Sequence, residues 1–198
     1  MIEAKKYLEN NTDISFFKML GTGIEGGFVL PDFSVYSLLC VWKDKESGLN
    51  FLNDSDHANE IKKKAKKRID YLMVPIISNG LWDKVNPFNY KKTENIDPNN
   101  KIGVITRGKI KLTKQLDFWL NVPAASKAIK FTKGVEFYKG IGELPFLSQA
   151  TFSVWKDSKS IHDFAYKNNA HAEVINKTRK RGWYSEDLFA RFEILNTQ

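Results

Sequence analysis

The histidines are the side chains of this chain best suited to bind a metal or a heme. There are three, His57, His162 and His171. His57 lies near the start of a basic segment and is predicted at the surface. His162 and His171 are nine residues apart, a rotation of about 180° on an unbroken helix, so they cannot share one metal. His171 is spaced from Phe164 and Ile175 as on an apolar helix face. It is therefore either a hydrogen-bonded core residue or an axial ligand to heme iron.

A run of cations and aromatic rings follows the segment that carries His171. It comprises Arg179, Lys180, Arg181, Gly182, Trp183 and Tyr184. Guanidinium groups bind carboxylates in pairs, so this run could bind heme propionates, with Trp183 or Tyr184 against the ring. The alternative is the charged end of a helix followed by a strand, since cations stabilise the last carbonyls of a helix.

Two further motifs have simpler interpretations. Residues 21–26 fit G-x-G-x-x-G, but Pro31 and the extended pattern after it exclude the helix that a dinucleotide site requires. The glycines are therefore predicted to form a loop between two strands. Cys40, the single cysteine, lies in an apolar strand and is predicted to be a small core residue. One cysteine also excludes an internal disulfide, a cysteine-based zinc site and an iron–sulfur cluster.

Composition and charge narrow the class of protein further. The chain has 198 residues, of which 42% are apolar, and it carries a net charge of +8. No apolar run reaches the roughly 20 residues of a membrane-spanning helix, and no signal peptide is recognisable, which predicts a cytoplasmic location. Six of the seven residues from 62 to 68 are basic. This predicted helix is either a solvated face or a docking surface for an acidic protein or anionic lipid. No nucleic-acid-binding motif accompanies it, so nucleic acid is not an expected partner.

The elements that must position these side chains occur twice. Val41-Trp42-Lys43-Asp44 recurs as Val154-Trp155-Lys156-Asp157, and residues 17–21 resemble residues 138–142. A period above 100 residues indicates two duplicated halves rather than a solenoid. We expect an N-terminal half over 1–80, a polar linker over 81–100 and a C-terminal half over 101–198.

The C-terminal half has the pattern β-α-β-β-α-β of a ferredoxin-like unit. Strands are predicted at 101–112, 135–140, 148–155 and 188–195, and helices at 114–130 and 158–180. The N-terminal half begins with a helix at 3–10 and has no counterpart of the first strand. The expected class is α+β, with two tandem ferredoxin-like halves packed as an intrachain α/β-barrel pseudo-dimer. We interpret the missing strand as a truncated start. The alternative is a true loss, which would leave an open sheet edge that a partner chain in a homodimer could cover.

Several motifs together resemble the spheroidene monooxygenase family of carotenoid oxygenases. They are residues 17–23 (FKMLGTG), 150–155 (ATFSVW) with Asp157, 164–166 (FAY) followed by Ala170-His171, 182–192 (GWYSEDLFARF), and Asn86-Pro87-Phe88. The resemblance covers nearly the whole chain.

The resemblance implies a heme-dependent monooxygenase that uses O2 and reduced ferredoxin to place a keto group on an acyclic carotenoid such as spheroidene. It makes His171 the axial ligand of the heme iron. Arg191 becomes the candidate catalytic residue, and Arg179, Arg181, Trp183 and Tyr184 become candidate cofactor contacts. The basic segment 62–68 becomes a docking face for ferredoxin or for the surface of a membrane that holds the carotenoid. The alternative is a non-catalytic protein of the same fold that binds heme or another apolar ligand.

Overall fold

A computed structural model describes residues 2–24, 30–88, 97, 99–121, 129, 132–144, 147–167, 178 and 180–197. The elements of the first part are α1 (Ile2–Asn10), β1 (Ile14–Gly23), β2 (Pro31–Trp42), α2 (Lys45–Asp54), α3 (Asp56–Lys64) and β3 (Tyr71–Gly80). Those of the second part are β4 (Ile102–Ile110), a 3-10 turn (Leu112–Lys114), α4 (Gln115–Asn121), β5 (Val135–Leu144), β6 (Ser148–Trp155), α5 (Ser158–Lys167) and β7 (Tyr184–Thr197). Among these described residues, no helix is long and apolar enough to cross a bilayer.

The seven strands form one antiparallel sheet in the order β2-β1-β5-β6-β4-β7-β3. The prediction of an α+β fold is confirmed. β3 pairs with β7 along almost its whole length, whereas β1 meets β5 only through Gly21 opposite Gly142 and Thr22 opposite Ile141. Strands from both parts of the chain therefore share a single sheet, and β2 and β3 are its two edges.

The sheet is strongly curled. The ring of Tyr71, on the edge strand β3, lies 5.2 Å from Phe152 on β6 and 6.0 Å from Phe137 on β5, measured between ring centroids. In a flat sheet β5 would be about 19 Å away, because neighbouring strands are roughly 4.8 Å apart. The curl brings side chains from distant strands into contact across the concave face.

The concave face holds the main apolar core. Its buried members are Leu20, Val41, Trp82, Phe88, Ile105, Ile141, Ala150, Leu188, Ala190 and Phe192. Trp82 and Phe88 belong to the segment predicted as a polar linker, but both of their rings are buried in this core. Phe88 packs edge-on against Phe192 at 4.8 Å, and the Asn86 side-chain oxygen accepts the Phe88 N–H at 3.1 Å. Two large rings therefore anchor a segment whose average composition is polar.

The predicted basic helix at 62–68 also differs from the structure. α3 ends at Lys64, because Ala65 takes an extended conformation with ψ 129°. Arg68 turns back instead: it donates to the Ala58 carbonyl oxygen at 3.1 Å and pairs with Asp70 at 2.7 Å. Residues 62–67 remain exposed.

Candidate functional site

The convex face of the central strands, on which the helices pack, carries two of the predicted site residues, Arg191 and Tyr184. Strand register places two rows here: Val104 with Ser153 and Arg191, and Thr106 with Thr151 and Phe189. Residues directly opposite one another in antiparallel strands point to the same face. Val104 contacts α5 in an apolar cluster, whereas Ile105 lies in the concave core. Arg191 and Thr106 are therefore on the helix side of the sheet.

Two apolar clusters border an open stretch of this face. α5 supplies Ile161 and Phe164 to the cluster around Val104, and α4 supplies Phe118 to a smaller cluster with Ile110 and Trp183. Between them the sheet presents Thr106, Thr151 and Gly140. Thr106 is exposed although its strand has a partner on each side. In the described part of the chain, a stretch of small side chains therefore lies between two apolar clusters. We call this stretch the convex cleft.

Arg191 lies on this face with its hydrogen-bonding capacity incompletely used. Its guanidinium carbon is 5.4 Å from the centroid of the Phe189 ring. Its Nε is buried and has no hydrogen-bond partner among the described residues. A buried donor left without an acceptor costs about 1–3 kcal/mol, so such atoms need an explanation. A ligand with an anionic or carbonyl oxygen would supply the acceptor.

Arg181 and Trp183 meet on one carboxylate at the edge of the cleft. The indole N–H of Trp183 donates to Asp117 Oδ2 at 2.7 Å, and Arg181 forms an ion pair with the same side chain. The Trp183 hydrogen bond, assisted by Arg181, holds the pKa of Asp117 below its usual range. These contacts fix α4 against the start of β7, and the Trp183 ring is buried.

Tyr184 lies at the first position of β7, on the α4 side of the cleft. Its ring packs directly on Gly108, where an added Cβ would be 2.5 Å from the ring, and 5.8 Å from Phe118 between centroids. Burial raises the pKa of the phenol to about 12, and Asp187 adds to the shift. The hydroxyl is therefore a neutral hydrogen-bonding group at physiological pH.

His171 and Arg179 lie outside the described residues. His162 is on α5 with an exposed side chain, and its Nδ1 is 3.9 Å from Asp163. His57 is not simply at the surface as predicted: it is half-buried and stacks on Tyr7 at 5.5 Å, and burial lowers its pKa.

In the described part of the chain, neither a metal site built from protein side chains alone nor a thiolate ligand is indicated. There, no group of three or more His, Cys, Asp or Glu side chains could hold a metal ion. Burial raises the pKa of the Cys40 thiol to about 12. The Cys40 side chain is half-buried at the margin of the core.

A buried ion network on the concave side was not predicted from the sequence. Arg107 is buried, forms an ion pair with Glu186, and stacks on Trp82 with 5.3 Å from guanidinium carbon to ring centroid. Lys18 joins the network through Glu143 at 2.6 Å and through Asp83. The available signal was the alternation of β4, which puts Arg107 on the same face as Ile105. An open depression of about 690 Å³ lies beside the network, lined by Glu186 and Lys84 among others but not by Arg191 or Tyr184.

The same network holds an unusual turn. Asp83 and Lys84 both have left-handed backbones, with φ of 54° and 68°, inside a turn closed by the Trp82–Val85 bridge. The Glu186 carboxylate accepts the N–H of Asp83 at 3.0 Å and that of Lys84 at 2.8 Å. Left-handed conformations cost non-glycine residues about 1–2 kcal/mol each, and these charge-assisted bonds offset that cost.

The fold places the chain in a structural class. The solved structure of an aldoxime dehydratase in complex with butyraldoxime shares this fold, with a TM-score of 0.57 and 10% sequence identity. The alignment covers 98% of this chain and 74% of that one. The class is that of α+β proteins with a curled antiparallel sheet and helices on its convex face. A heme-degrading enzyme from Listeria monocytogenes matches at a TM-score of 0.35 and 15% identity, covering 95% of this chain and 92% of that one.

Sequence comparison identifies the family. The chain is 37% identical over 185 residues to the spheroidene monooxygenase of Cereibacter sphaeroides, covering 92% of this chain and 56% of that protein. It is 30% identical over 184 residues to that of Rubrivivax gelatinosus, covering 92% and 70%, and 28% identical over 199 residues to that of Rhodobacter capsulatus, covering 100% and 83%. The chain belongs to the spheroidene monooxygenase family. It spans about half the length of the Cereibacter relative, and no protein-family model matches it.

Proposed function

We propose that this chain is a carotenoid monooxygenase that binds heme in the convex cleft and acts in the cytoplasm, at the surface of a membrane. It would use O2 and reduced ferredoxin to introduce a keto group into an acyclic carotenoid such as spheroidene. The family supports the reaction class. The observation that carries the location is the buried, unpartnered Nε of Arg191 above a floor of small side chains.

The residues present on the cleft fit a heme. In this proposal His171, which lies outside the described residues, would bind the heme iron, since imidazole is a common donor to heme iron. Arg191 supplies the hydrogen bond that its Nε now lacks, and Gly140, Thr151 and Thr106 leave room for a flat macrocycle. Bound heme would supply the capacity to bind and activate O2.

The chain's own side chains hold and orient the reactants. Arg191 donates toward an oxygen atom at the cleft, where a fixed cation stabilises developing negative charge. The neutral Tyr184 hydroxyl donates or accepts a hydrogen bond without adding charge. The apolar clusters around Phe118 and Phe164 exclude water and offer surface for a long hydrocarbon chain. Arg179 remains proposed for the propionates, and Arg181 and Trp183 would act through the position of α4.

Electrons would enter from reduced ferredoxin at the basic segment. Residues 62–67 are exposed, and Glu60 pairs with Lys63 at 3.0 Å and with Lys64 at 3.5 Å. Ferredoxins are generally acidic, and complementary charge speeds encounter. The same segment could instead contact anionic lipid.

The proposal includes a tandem ferredoxin-like organisation over residues 1–80 and 101–198, joined by 81–100. β4, α4, β5, β6, α5 and β7 follow the order β-α-β-β-α-β, and the elements of the first part resemble this order from α1 onward. The sheet edges β2 and β3 both belong to the first part. Open edges tend to pair, so a homodimer is one arrangement that would cover them.

The first experiment is reconstitution with hemin, followed by absorption spectroscopy. The wild-type chain should bind one heme and show a sharp Soret band. His171→Ala should lose that band, while His162→Ala, the matched control at an exposed side chain of α5, should keep it. A wild type that takes up no heme, or a His171→Ala variant with an unchanged spectrum, would contradict the proposed site.

A second measurement separates the enzyme from a non-catalytic heme- or apolar-ligand-binding protein. Reconstituted chain, carotenoid, reduced ferredoxin and O2 should yield an oxidised carotenoid, detected by mass spectrometry as a gain of oxygen. Heme binding without this product under all four conditions would favour the non-catalytic alternative.

A further inference from the structure

Three leucines on the outer side of α4 point into solvent. Leu112, Leu116 and Leu120 are 76%, 83% and 82% exposed, and their spacing of four residues places them on one side of the helical segment. The opposite side of this segment is buried, since Phe118 packs on Ile110 and Trp183. Three large aliphatic side chains are thus uncovered along one side of the 3-10 turn and α4, a feature typical of interaction sites.

Cations surround these leucines. Lys111 and Lys114 flank Leu112 in the chain, and both are exposed. Lys180 and Arg181 lie beside α4. Arg181 pairs with Asp117 of that helix, and Lys111 Nζ lies 3.8 Å from the position that a Cβ on Gly182 would take. Near these four cations the described residues of the segment carry one carboxylate, that of Asp117. The surface around the three leucines therefore has a net positive charge. A positive rim around exposed leucines complements an anionic lipid surface.

The stripe also adjoins the proposed site. Phe118, on the buried side of α4, contacts Tyr184 at the border of the convex cleft. We propose that Leu112, Leu116 and Leu120 insert into an anionic bilayer, with Lys111, Lys114 and Lys180 on the lipid headgroups, so that α4 places the cleft at the membrane. The role in carotenoid delivery rests on the proposed function, but the lipid contact itself does not.

Co-sedimentation with lipid vesicles tests the contact without heme or carotenoid. Wild-type chain should bind vesicles of phosphatidylcholine mixed with phosphatidylglycerol more tightly than vesicles of phosphatidylcholine alone, and high salt should weaken the binding. The triple variant Leu112→Ser, Leu116→Ser, Leu120→Ser should bind at least about tenfold more weakly, because it removes most of the apolar area available for insertion. Circular dichroism checks that the variant is folded.

Control variants test whether vesicle binding depends on these leucines and lysines in particular. Leu30→Ser, Phe33→Ser, Tyr36→Ser changes three side chains of similar exposure (62%, 79% and 67%) on the β1–β2 hairpin and should bind like wild type. Lys111→Gln, Lys114→Gln, Lys180→Gln should lose the preference for phosphatidylglycerol, whereas Lys62→Gln, Lys66→Gln, Lys67→Gln should keep it. Unchanged vesicle binding in the leucine variant would overturn the proposal. So would a leucine variant whose only change is a smaller mass in sedimentation, since the stripe would then be covered by a second copy.

The same variants separate this contact from the enzymatic proposal. If the function is correct, the leucine variant should oxidise carotenoid in detergent micelles at the wild-type rate and carotenoid in vesicles more slowly. If wild type oxidises neither but binds anionic vesicles through the leucines, the enzymatic proposal fails and the lipid contact stands.

Discussion

The surroundings of Arg191 call for a ligand on the convex face. Its buried Nε has no partner among the described residues, and Phe189 covers one face of its guanidinium. Arg191→Met keeps the apolar stem and removes the donor. We expect it to bind hemin but to turn over carotenoid about 100-fold more slowly, the usual loss when a fixed donor is removed. Steady-state rates with reduced ferredoxin, alongside Arg191→Lys as the charge-preserving control, measure this. Equal rates for wild type and Arg191→Met would remove Arg191 from the catalytic role.

Glu186 should link stability to pH. Burial opposes its ionisation, but the N–H groups of Lys84 and Asp83 and the Arg107 guanidinium outweigh burial and hold its pKa below the usual 4.5. A lowered folded-state pKa adds stability that is present above pH 4.5 and is lost as pH falls through the folded-state value. The difference in unfolding free energy between wild type and Glu186→Gln should therefore shrink as pH falls below 4.5, as measured by urea titrations at several pH values. Glu46→Gln, on the exposed first turn of α2, is the control for loss of a carboxylate. A difference that stays constant with pH would contradict this linkage.

β4 offers a matched pair of glycines to test how its two faces are packed. A Cβ on Gly108 would lie 2.5–2.8 Å from three atoms of the Tyr184 ring, whereas one on Gly103 would meet the Met73 sulfur at 2.9 Å. A methionine can change rotamer, but a buried ring between strand and helix cannot move as easily. Gly108→Ala should therefore cost about 1–3 kcal/mol more than Gly103→Ala, read from thermal or urea unfolding. Equal costs would mean that Tyr184 is free to move.

Helices and strands could be predicted where the local sequence pattern determines their bounds. They could not be predicted where contacts with distant residues determine them. The strand predicted at 148–155 has the bounds that the structure gives β6. The end of α3 was missed, because Arg68 bonds to Ala58 and Asp70 only once the chain turns back. Trp82 and Phe88 were assigned to a linker because their neighbours are polar. Arg191 and Tyr184 stay predictions that rest on a motif. The Arg107–Glu186 pair joins residues 79 apart, a relation that no local pattern encodes.

At the scale of the whole molecule, the sheet has a weak seam. β1 joins β5 through two residue pairs, while β4 is paired on both sides along its length. Local opening follows the number of contacts that must break. Amides of β1 and β2 should therefore exchange with solvent faster than those of β4 and β7, which hydrogen–deuterium exchange with mass spectrometry can measure. Uniform protection across all seven strands would show instead that the sheet opens only as one unit.

The turn at Asp83 and Lys84 has a consequence for the order in which the chain folds. Neither residue favours a left-handed backbone on its own, and the carboxylate that holds the turn lies 103 and 102 residues further along the chain. We expect a turn that depends on so distant a partner to form after β7 has docked. The long loop must close, at a cost in chain entropy, before the Glu186 carboxylate can bind the turn. In most hairpins a favourable turn such as Asn-Gly starts the pairing. Here we expect the turn to form only once β7 is in place. Asn-Gly at positions 83 and 84 would let the turn form earlier, and would therefore change the folding route as well as the stability of the native state.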